Sequence, residues 1–514
     1  MGAAAAATAA ATPGSSRRPR RDAPDPDSVR VDPRGTLLRM RFVFLLGLLS
    51  CAALPTVAAC GSSGNSGGGG GGVPDASSDT GAGGTGGIGA GGGTAGNGGA
   101  AGTAGNAGAG GSAGAGGSAG SGGAGGSPAS LDKLPLWDTA WTLELSKKSA
   151  VETYLAARKS QGFDVVMMGY GAFDTKNTAL GNGSKPFTAT VPSTTGSPVA
   201  DVLSPNDAGW SYVDDTIGYA ATQGLVICLL PLGNGRAVHY VDALSDQSSG
   251  ENRAYKYGEW LGKRYKNVPN LVWMLGGDVD YTVKNVVSLT NSLASGIRAT
   301  GDAHAITFET NGGGTSSTAF HTETWLTFNA IQDRPVHPAV IASDLALLPG
   351  KPTGVAESDY ETSSYGSGVG AGPILEHTWL TYLSGGSYVG YGQSGMYQGQ
   401  NPASTTAIVY SRIARDEVTA RGWLGYTPTA DFLASSSGTV ASMRKNHSAA
   451  MIYLGSGGSV SVDLSYLDAT GNVKAQRFDP RNNTATSLGS FAASGTHDFT
   501  RGSLADAVIL LDAN

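Results

Sequence analysis

The sequence predicts an α/β protein, with a (β/α)8 barrel of the TIM type over residues 131–427 and a small antiparallel β-sandwich over 428–514. A unit of polar helix end, glycine and apolar strand occurs twice, at 160–168 and 222–230. Eight strand-length apolar segments alternate with room for helices across the first region. After Pro428 the pattern changes to short alternating strands between Gly, Asn and Asp turns, which predicts the second, all-β domain.

The barrel strands are predicted from apolar runs that are bounded by turn residues. Gly162 and Gly224 follow polar helix ends and suit the left-handed conformation that terminates a helix. The helix before Gly162 is amphipathic, and Ser149 with Glu152 predicts a capping box at its start. No Gly-x-Gly-x-x-Gly follows the first strand, which argues against a dinucleotide-binding sheet. The predicted strands are 134–141, 163–168, 225–230, 270–275, 304–310, 327–332, 353–358 and 386–392.

The N-terminal quarter of the chain predicts export and a tether rather than a folded domain. Residues 1–39 lack periodicity, so we expect them to be disordered or a mis-assigned extension before a start at Met40. Residues 40–60 have the basic start, apolar core and small-residue end of a signal peptide. The ending Val57-Ala-Ala-Cys60 resembles the bacterial lipoprotein box, which implies lipidation of Cys60 and an outer membrane lipoprotein. Residues 61–130 are Gly/Ala/Ser-rich and are predicted to be a disordered linker, with a reach of about 45 Å.

Charge and cysteine content restrict the partners of the folded part. Without the eight Arg and four Asp of residues 1–60, the formal net charge of −6 becomes −10, which argues against nucleic acid. Cys228 is flanked by apolar residues and is expected in the core, so no disulfide is predicted after loss of Cys51 and acylation of Cys60. No His, Asp or Glu set has metal-ligand spacing. We therefore expect a monomer without metal or cofactor, bound to the membrane through Cys60.

Two carboxylates are the candidates for catalysis. Asp278 ends the apolar run 270–275 after Gly276 and Gly277, and Glu357 ends the run 353–357. By strand count these positions follow the fourth and seventh barrel strands, where a barrel places its chemistry. Hydrolysis of a glycosidic bond needs one carboxyl to protonate the leaving oxygen and another to attack the sugar or activate water. Four other carboxylates remain alternatives for either role: Asp280, Glu309, Asp359 and Glu361.

The motifs in the folded part resemble the apiosidase-like glycoside hydrolases, a barrel family followed by a collagen-binding-type β-domain. The segments that carry the resemblance include 138–141, 257–265, 270–278, 313–317, 325–329, 357–361 and 478–481. The resemblance implies Asp278 as acid/base and Glu357 as nucleophile of a retaining enzyme. The family commonly has Arg after this Asp and Pro after this Glu, where the present sequence has Val279 and Ser358. The resemblance therefore implies the reaction but not specificity for apiose.

Aromatic and polar side chains at predicted strand ends are candidates for contact with a sugar, because aromatic rings in barrel loops often stack on sugar faces. Packing in the core or at the rim is the alternative for each of them. The predicted substrate-binding residues are Asp138, Trp141, His321, Trp325, Tyr360 and Tyr397.

Two functions are consistent with these observations. The first is a cell-surface glycoside hydrolase that cleaves a plant or bacterial polysaccharide, with retention expected. The second is a surface lipoprotein that binds glycan or matrix on a degenerate barrel without cleaving it. Facing carboxyls across one open pocket would favour the first function.

Overall fold

The computed structural model describes residues 134–169, 177–232, 236–247, 250–362, 368–393, 403–435 and 439–514. The predicted signal, lipidation site and linker lie outside these ranges. None of the helices within them is both long and apolar enough to cross a membrane.

The first part of the described chain is a parallel β/α barrel, as predicted. The elements are β1 (Leu136–Thr139), α1 (Lys148–Ser160), β2 (Val165–Gly169), β3 (Thr190–Val191), β4 (Val199–Ala200), α2 (Asp207–Thr222), β5 (Val226–Leu230), α3 (Ala237–Leu244), α4 (Arg253–Tyr265), β6 (Leu271–Met274), α5 (Val286–Ala299), β7 (Ile306–Thr307), α6 (Ser317–Phe320), β8 (Asn329–Gln332), α7 (Pro338–Leu345), β9 (Thr353–Glu357), α8 (Ala371–Leu383), β10 (Val389–Tyr391) and α9 (Thr406–Ala420). The barrel strands lie in the order β7-β6-β5-β2-β1-β10-β9-β8, and the edges meet where Thr307 Oγ1 donates to Phe328 O at 2.8 Å. The hairpin β3–β4 is an insertion that the sequence did not predict.

Side chains of the barrel strands alternate between two cores. Those that point into the barrel form one cluster, which includes Trp137, Met167, Cys228 and Met274. Their sequence neighbours point outward and pack under the helices in a second, larger cluster. This alternation follows from the period of two along a β-strand, and it decides which residues at the strand ends can face the barrel mouth.

Helix ends in the barrel agree with the sequence at the glycines and differ at one cap. Gly162 has a φ of +93° and Gly224 a φ of +65°, the left-handed values expected after α1 and α2. The predicted capping box of Ser149 and Glu152 is wrong. Helix α1 begins two residues earlier than this box requires, at Lys148, and its N-cap residue Lys147 makes no side-chain cap.

The second part consists of two antiparallel sheets that share one core, which confirms the predicted β-sandwich. The six-stranded sheet has the order β11-β13-β14-β19-β16-β17, and the three-stranded sheet has the order β12-β15-β18. The six-stranded sheet packs on the barrel, where Trp379 of α8 stacks on Tyr453 with ring centroids 6.3 Å apart. The strands are β11 (Tyr426–Pro428), β12 (Leu433–Ser435), β13 (Thr439–Arg444), β14 (Ala449–Leu454), β15 (Ser459–Asp463), β16 (Asn472–Asp479), β17 (Thr484–Ala492), β18 (Thr496–Thr500) and β19 (Ala507–Ala513).

Candidate active site

Asp278 stands at the C-terminal end of β6, on a backbone that the two preceding glycines shape. A Cβ atom on Gly276 would lie 2.6 Å from the Glu309 carbonyl oxygen, so only glycine lets the ends of β6 and β7 approach this closely. Asp278 itself has a φ of +55°, in the left-handed region that Asp and Asn tolerate better than other side chains. This conformation places a half-buried carboxylate at the barrel mouth.

Glu357 reaches the same mouth because of a β-bulge. Val355 pairs with Ile331 on β8, but the next pair joins Gln332 to Glu357, so β9 has one extra residue. Ala356 already belongs to the inward-facing cluster. Simple alternation would therefore turn Glu357 outward, and the bulge turns its side chain back toward the site. Glu357 is buried, at 4% exposed.

The Gln332 side chain joins the two candidate acids. Its Nε2 donates one hydrogen bond to Asp278 Oδ1 at 2.5 Å and a second to Glu357 Oε2. Because one nitrogen makes short contacts with both carboxylates, their nearest oxygens are at most about 5 Å apart. The two acids therefore lie close together at the barrel mouth.

A cation and two aromatic side chains surround Glu357. Arg334 Nη2 lies 2.5 Å from Glu357 Oε1, and its guanidinium stands 5.4 Å above the Tyr360 ring. The Tyr360 side chain also hydrogen-bonds to Glu357, and its hydroxyl accepts from Trp141 Nε1 at 2.8 Å. Glu357 therefore has three hydrogen-bonding or ionic partners, Gln332, Arg334 and Tyr360, which all stabilise the charged carboxylate.

The pKa of Glu357 results from opposing effects. Burial raises this pKa above its ordinary value, and the negative charge of Asp278 acts in the same direction. Arg334 and the hydrogen bonds from Tyr360 and Gln332 lower it, but the net shift is upward. We therefore expect Glu357 to ionise at a higher pH than an ordinary glutamate.

Two of the four alternative carboxylates already have hydrogen-bond partners. Asp280 accepts from the backbone and side chain of Thr282 at 2.8 and 2.7 Å. Glu361 accepts from Tyr391 and Thr405. These hydrogen bonds favour structural roles for Asp280 and Glu361, whereas Asp359 lies 3.8 Å from His377 Nε2, which is longer than a hydrogen bond.

The remaining alternative, Glu309, lies inside the barrel. It follows β7, where Ala305 points inward, and Ile306 and Phe308 pack outward. Alternation therefore directs Glu309 inward, beside the Asp278–Glu357 pair. Its Oε1 is buried and has no hydrogen-bond partner among the described residues. Burial raises the pKa of Glu309 far above its ordinary value, and the charges of Glu357 and Asp278 add to the shift.

Of the predicted substrate-binding residues, Trp141 and Tyr360 are brought to Glu357 and the others are not. His321 bonds through its ring nitrogens to Pro349 O at 2.9 Å and to Asn329 Oδ1 at 3.3 Å, at the end of β8 opposite the mouth. Trp325 donates to Asn291 on α5 at 2.9 Å. Tyr397 lies outside the described residues.

Asp138 is fully buried on the outer side of β1, because Trp137 and Trp141 occupy the inward positions. Its Oδ2 accepts from Tyr154 at 2.6 Å and lies 3.2 Å from Arg158 Nε, both on α1. Burial raises the pKa of Asp138, and the charge of Arg158 opposes the shift. This geometry makes Asp138 the partner of a buried arginine rather than a contact for a sugar at the mouth.

We expect Asp138→Asn to lower the free energy of unfolding by about 3–5 kcal/mol, because it leaves the buried Arg158 without a counter-charge. Denaturant titration measures this change, and KM should stay at the wild-type value. The double variant Asp138→Asn with Arg158→Met removes both charges and should recover most of the loss. A many-fold rise in KM at unchanged stability would instead restore Asp138 as a substrate contact.

Gln332 and Arg334 were not predicted as site residues, although Gln332 is the last residue of a predicted strand and Arg334 lies two residues after it. Alternation places Gln332 inward after Ala330, and this signal was present in the sequence. The contact of Arg334 depends on the loop after β8, which alternation does not determine. Among the described residues, no group of three His, Cys, Asp or Glu side chains could hold a metal ion.

Comparison with known families identifies the fold and the chemistry. Residues 134–436 match the family described as "Apiosidase-like, catalytic domain", which covers more than half of the chain. The chain belongs to this apiosidase-like family. It is therefore a glycoside hydrolase by family. Residues 433–512 match "Putative collagen-binding domain of a collagenase".

Solved structures share the fold of the apiosidase-like chain at low sequence identity. One described as a glycoside hydrolase is 19% identical with a TM-score of 0.61, covering 74% of this chain and 93% of its own. A glycoside hydrolase of family 5 from Bacteroides vulgatus is 18% identical with a TM-score of 0.60, covering 74% of this chain and 89% of its own. No curated protein matches the chain significantly.

Proposed function

We propose that this apiosidase-like protein is a retaining glycoside hydrolase of the cell surface that cleaves a plant or bacterial polysaccharide. The observation that carries the proposal is the contact of one nitrogen, Gln332 Nε2, with both Asp278 and Glu357. Carboxyl groups of retaining enzymes are roughly 5–5.5 Å apart, whereas inverting enzymes keep roughly 6.5–9.5 Å for a water molecule. The close approach at Gln332 supports retention.

In the proposed first step, a Glu357 oxygen attacks the anomeric carbon while Asp278 protonates the departing glycosidic oxygen. This step breaks the bond to the leaving group and forms a covalent glycosyl-enzyme ester. In the second step Asp278 removes a proton from water, the water oxygen attacks the same carbon, and Glu357 leaves as a carboxylate. Asp278 suits the acid/base role because it is half-buried, so it can contact both the leaving group and water. Glu357 suits the nucleophile role because Arg334 and Tyr360 stabilise its charged form.

Hydrolysis of a panel of plant and bacterial polysaccharides, with the anomer released followed by NMR, tests this function. Retention predicts that the first sugar product has the anomeric configuration of the substrate. Release of the opposite anomer would refute the retaining mechanism. Binding of a polysaccharide without release of any sugar would favour the non-catalytic glycan-binding alternative.

The location is a separate part of the proposal and depends on Val57-Ala-Ala-Cys60. Lipidation there would place the enzyme on the outer membrane. We expect Cys60→Ser to release the protein from the membrane fraction and to abolish incorporation of labelled fatty acid. Cys51→Ser is the matched control, because Cys51 lies inside the predicted signal and should have no effect on either measurement. Membrane retention of the Cys60→Ser variant would contradict a lipid anchor.

A further inference from the structure

Glu309 is the strongest feature that the proposed mechanism does not use. It is 1% exposed, and it follows the strand adjacent to that of Asp278. A buried polar atom without a hydrogen bond destabilises a protein, so such atoms usually have a partner in the working state. Glu309 Oε1 has none among the described residues. Its position beside the catalytic pair makes the substrate the natural candidate for that partner.

The charges around Glu309 indicate its protonation state. Asp278 and Glu357 are two carboxylates near it, and Arg334 is the cation, which already lies against Glu357. The other titratable groups that interact with Glu309 are Cys228 on β5 and Tyr388 just before β10, both fully buried and uncharged at neutral pH. Burial disfavours the charged form of Glu309, and an ionised Glu309 would also be repelled by the Glu357 carboxylate in an interior of low dielectric. Glu309 is therefore expected to keep its proton.

We propose that Glu309 is a further substrate-binding residue: a neutral carboxylic acid, deeper in the barrel than Asp278, that hydrogen-bonds a hydroxyl group of the sugar held between Asp278 and Glu357. A carboxylic acid offers one donor and an acceptor, and so does a sugar hydroxyl. A neutral group can make this contact without competing electrostatically with the Glu357 nucleophile. The inference depends on the proposed function, because it assumes that the cleaved sugar occupies this site.

Two substitutions separate hydrogen bonding from packing. Glu309→Gln keeps the size, a donor and an acceptor, whereas Glu309→Leu keeps only a similar size. On an aryl glycoside that the wild type hydrolyses, we expect the Glu309→Gln variant to retain kcat/KM within about threefold. In the Glu309→Leu variant kcat/KM should fall by about 10–100-fold, because one or two buried hydrogen bonds are lost. Wild-type kcat/KM in a folded Leu variant would overturn the proposal.

Infrared difference spectroscopy tests the protonation state without any turnover. The wild type minus Glu309→Gln spectrum at neutral pH should contain the carbonyl stretch of a protonated carboxylic acid. Addition of a methyl glycoside that raises the Tm should shift this band, because the sugar hydroxyl then bonds to Glu309. Absence of the band, or a band that such a glycoside leaves unchanged, would refute the inference. Failure of the wild type to hydrolyse any substrate would refute the proposed function instead, and the band would remain measurable.

The raised pKa of Glu309 also predicts a pH dependence of stability. In the unfolded chain the group loses its proton near the ordinary glutamate pKa, whereas the folded protein keeps it to higher pH. Stability is then fully present below the unfolded pKa and falls as pH rises toward the folded value. Because Gln does not titrate, the Tm of Glu309→Gln should equal that of the wild type near pH 4 and exceed it increasingly toward pH 8. Parallel Tm curves for the two proteins would show that Glu309 is ionised in the fold.

Discussion

Replacing Glu357 by Gln should lower kcat by at least about a thousandfold, which corresponds to ~4 kcal/mol of activation free energy. The amide has nearly the shape of the carboxylate but cannot form the covalent ester with the sugar. It also loses its attraction to Arg334, whose Nη2 lies 2.5 Å from the carboxylate in the wild type. The loss should appear on every substrate, because the bond from Glu357 to the anomeric carbon has to form whatever the leaving group is. Initial rates on an aryl glycoside and on a polysaccharide measure it.

Glu361→Gln is the matched control for this experiment. Glu361 lies four residues away and accepts hydrogen bonds from Tyr391 and Thr405, so it should affect stability more than turnover. The wild type should also lose kcat/KM on the acid side at a pH above the ordinary pKa of glutamate, about 4.3, because burial raises the pKa of Glu357. Full activity in a folded Glu357→Gln variant would remove this residue from the mechanism.

The barrel could be predicted from the sequence because its signals are local and repeated. Gly162 and Gly224 terminate helices at the predicted places, and each apolar run became a parallel strand. The hairpin β3–β4 was missed because its strands have only two residues each, too few to show a period. The capping box was predicted wrongly because Ser149 satisfies the motif although the helix already starts at Lys148.

The candidate site could be predicted only in part, because it depends on which face of a strand each residue occupies. Trp141 lies two residues after β1 and packs in the inward cluster, whereas Asp138 lies on the outward face of β1 and bonds to α1. Alternation along the strand was sufficient to separate these two residues. Glu357 is the opposite case, because strict alternation would have turned it away from the site. The bulge that corrects its direction appears only when β9 is paired with β8.

Contacts between strands that are far apart in the chain could not be predicted from the sequence. Gln332 is the last residue of β8, a different strand from those of the two acids. No spacing in the sequence indicates that its amide contacts both of them. The contact of Arg334 with Glu357 could not be predicted either, although its positive charge compensates the negative charge of that buried carboxylate. The identity of the two acids could therefore be predicted, while the groups that orient and neutralise them could not.

Replacing Asp278 by Asn should lower kcat/KM by a factor that depends on the leaving group of the substrate. Asparagine keeps the size and can still contact Gln332, but it cannot give a proton to the glycosidic oxygen. Polysaccharides and alkyl glycosides need that proton, so we expect kcat/KM on them to fall by about 10²–10⁴-fold, the usual contribution of general acid catalysis. The aryl group of an activated aryl glycoside leaves as a stable phenolate without that proton. The rate of the first step should therefore fall much less on these substrates. The ratio of rates on the two substrate classes is the measurement.

The second step of the proposed mechanism, hydrolysis of the glycosyl-enzyme, provides a further test of Asp278. Asp278 is also the proposed base that activates water, so the Asp278→Asn variant should accumulate the glycosyl-enzyme on an activated substrate. A burst of phenolate followed by slow turnover would report that accumulation, and added azide should accelerate turnover because an anion needs no base. Asp280→Asn is the control, since the Asp280 carboxylate accepts hydrogen bonds only from Thr282 among the described residues, and this variant should show neither burst nor azide effect. Equal losses on aryl and alkyl glycosides would remove Asp278 from the acid role, and Glu309, the third carboxyl beside this pair, would then be the residue to test as the proton donor.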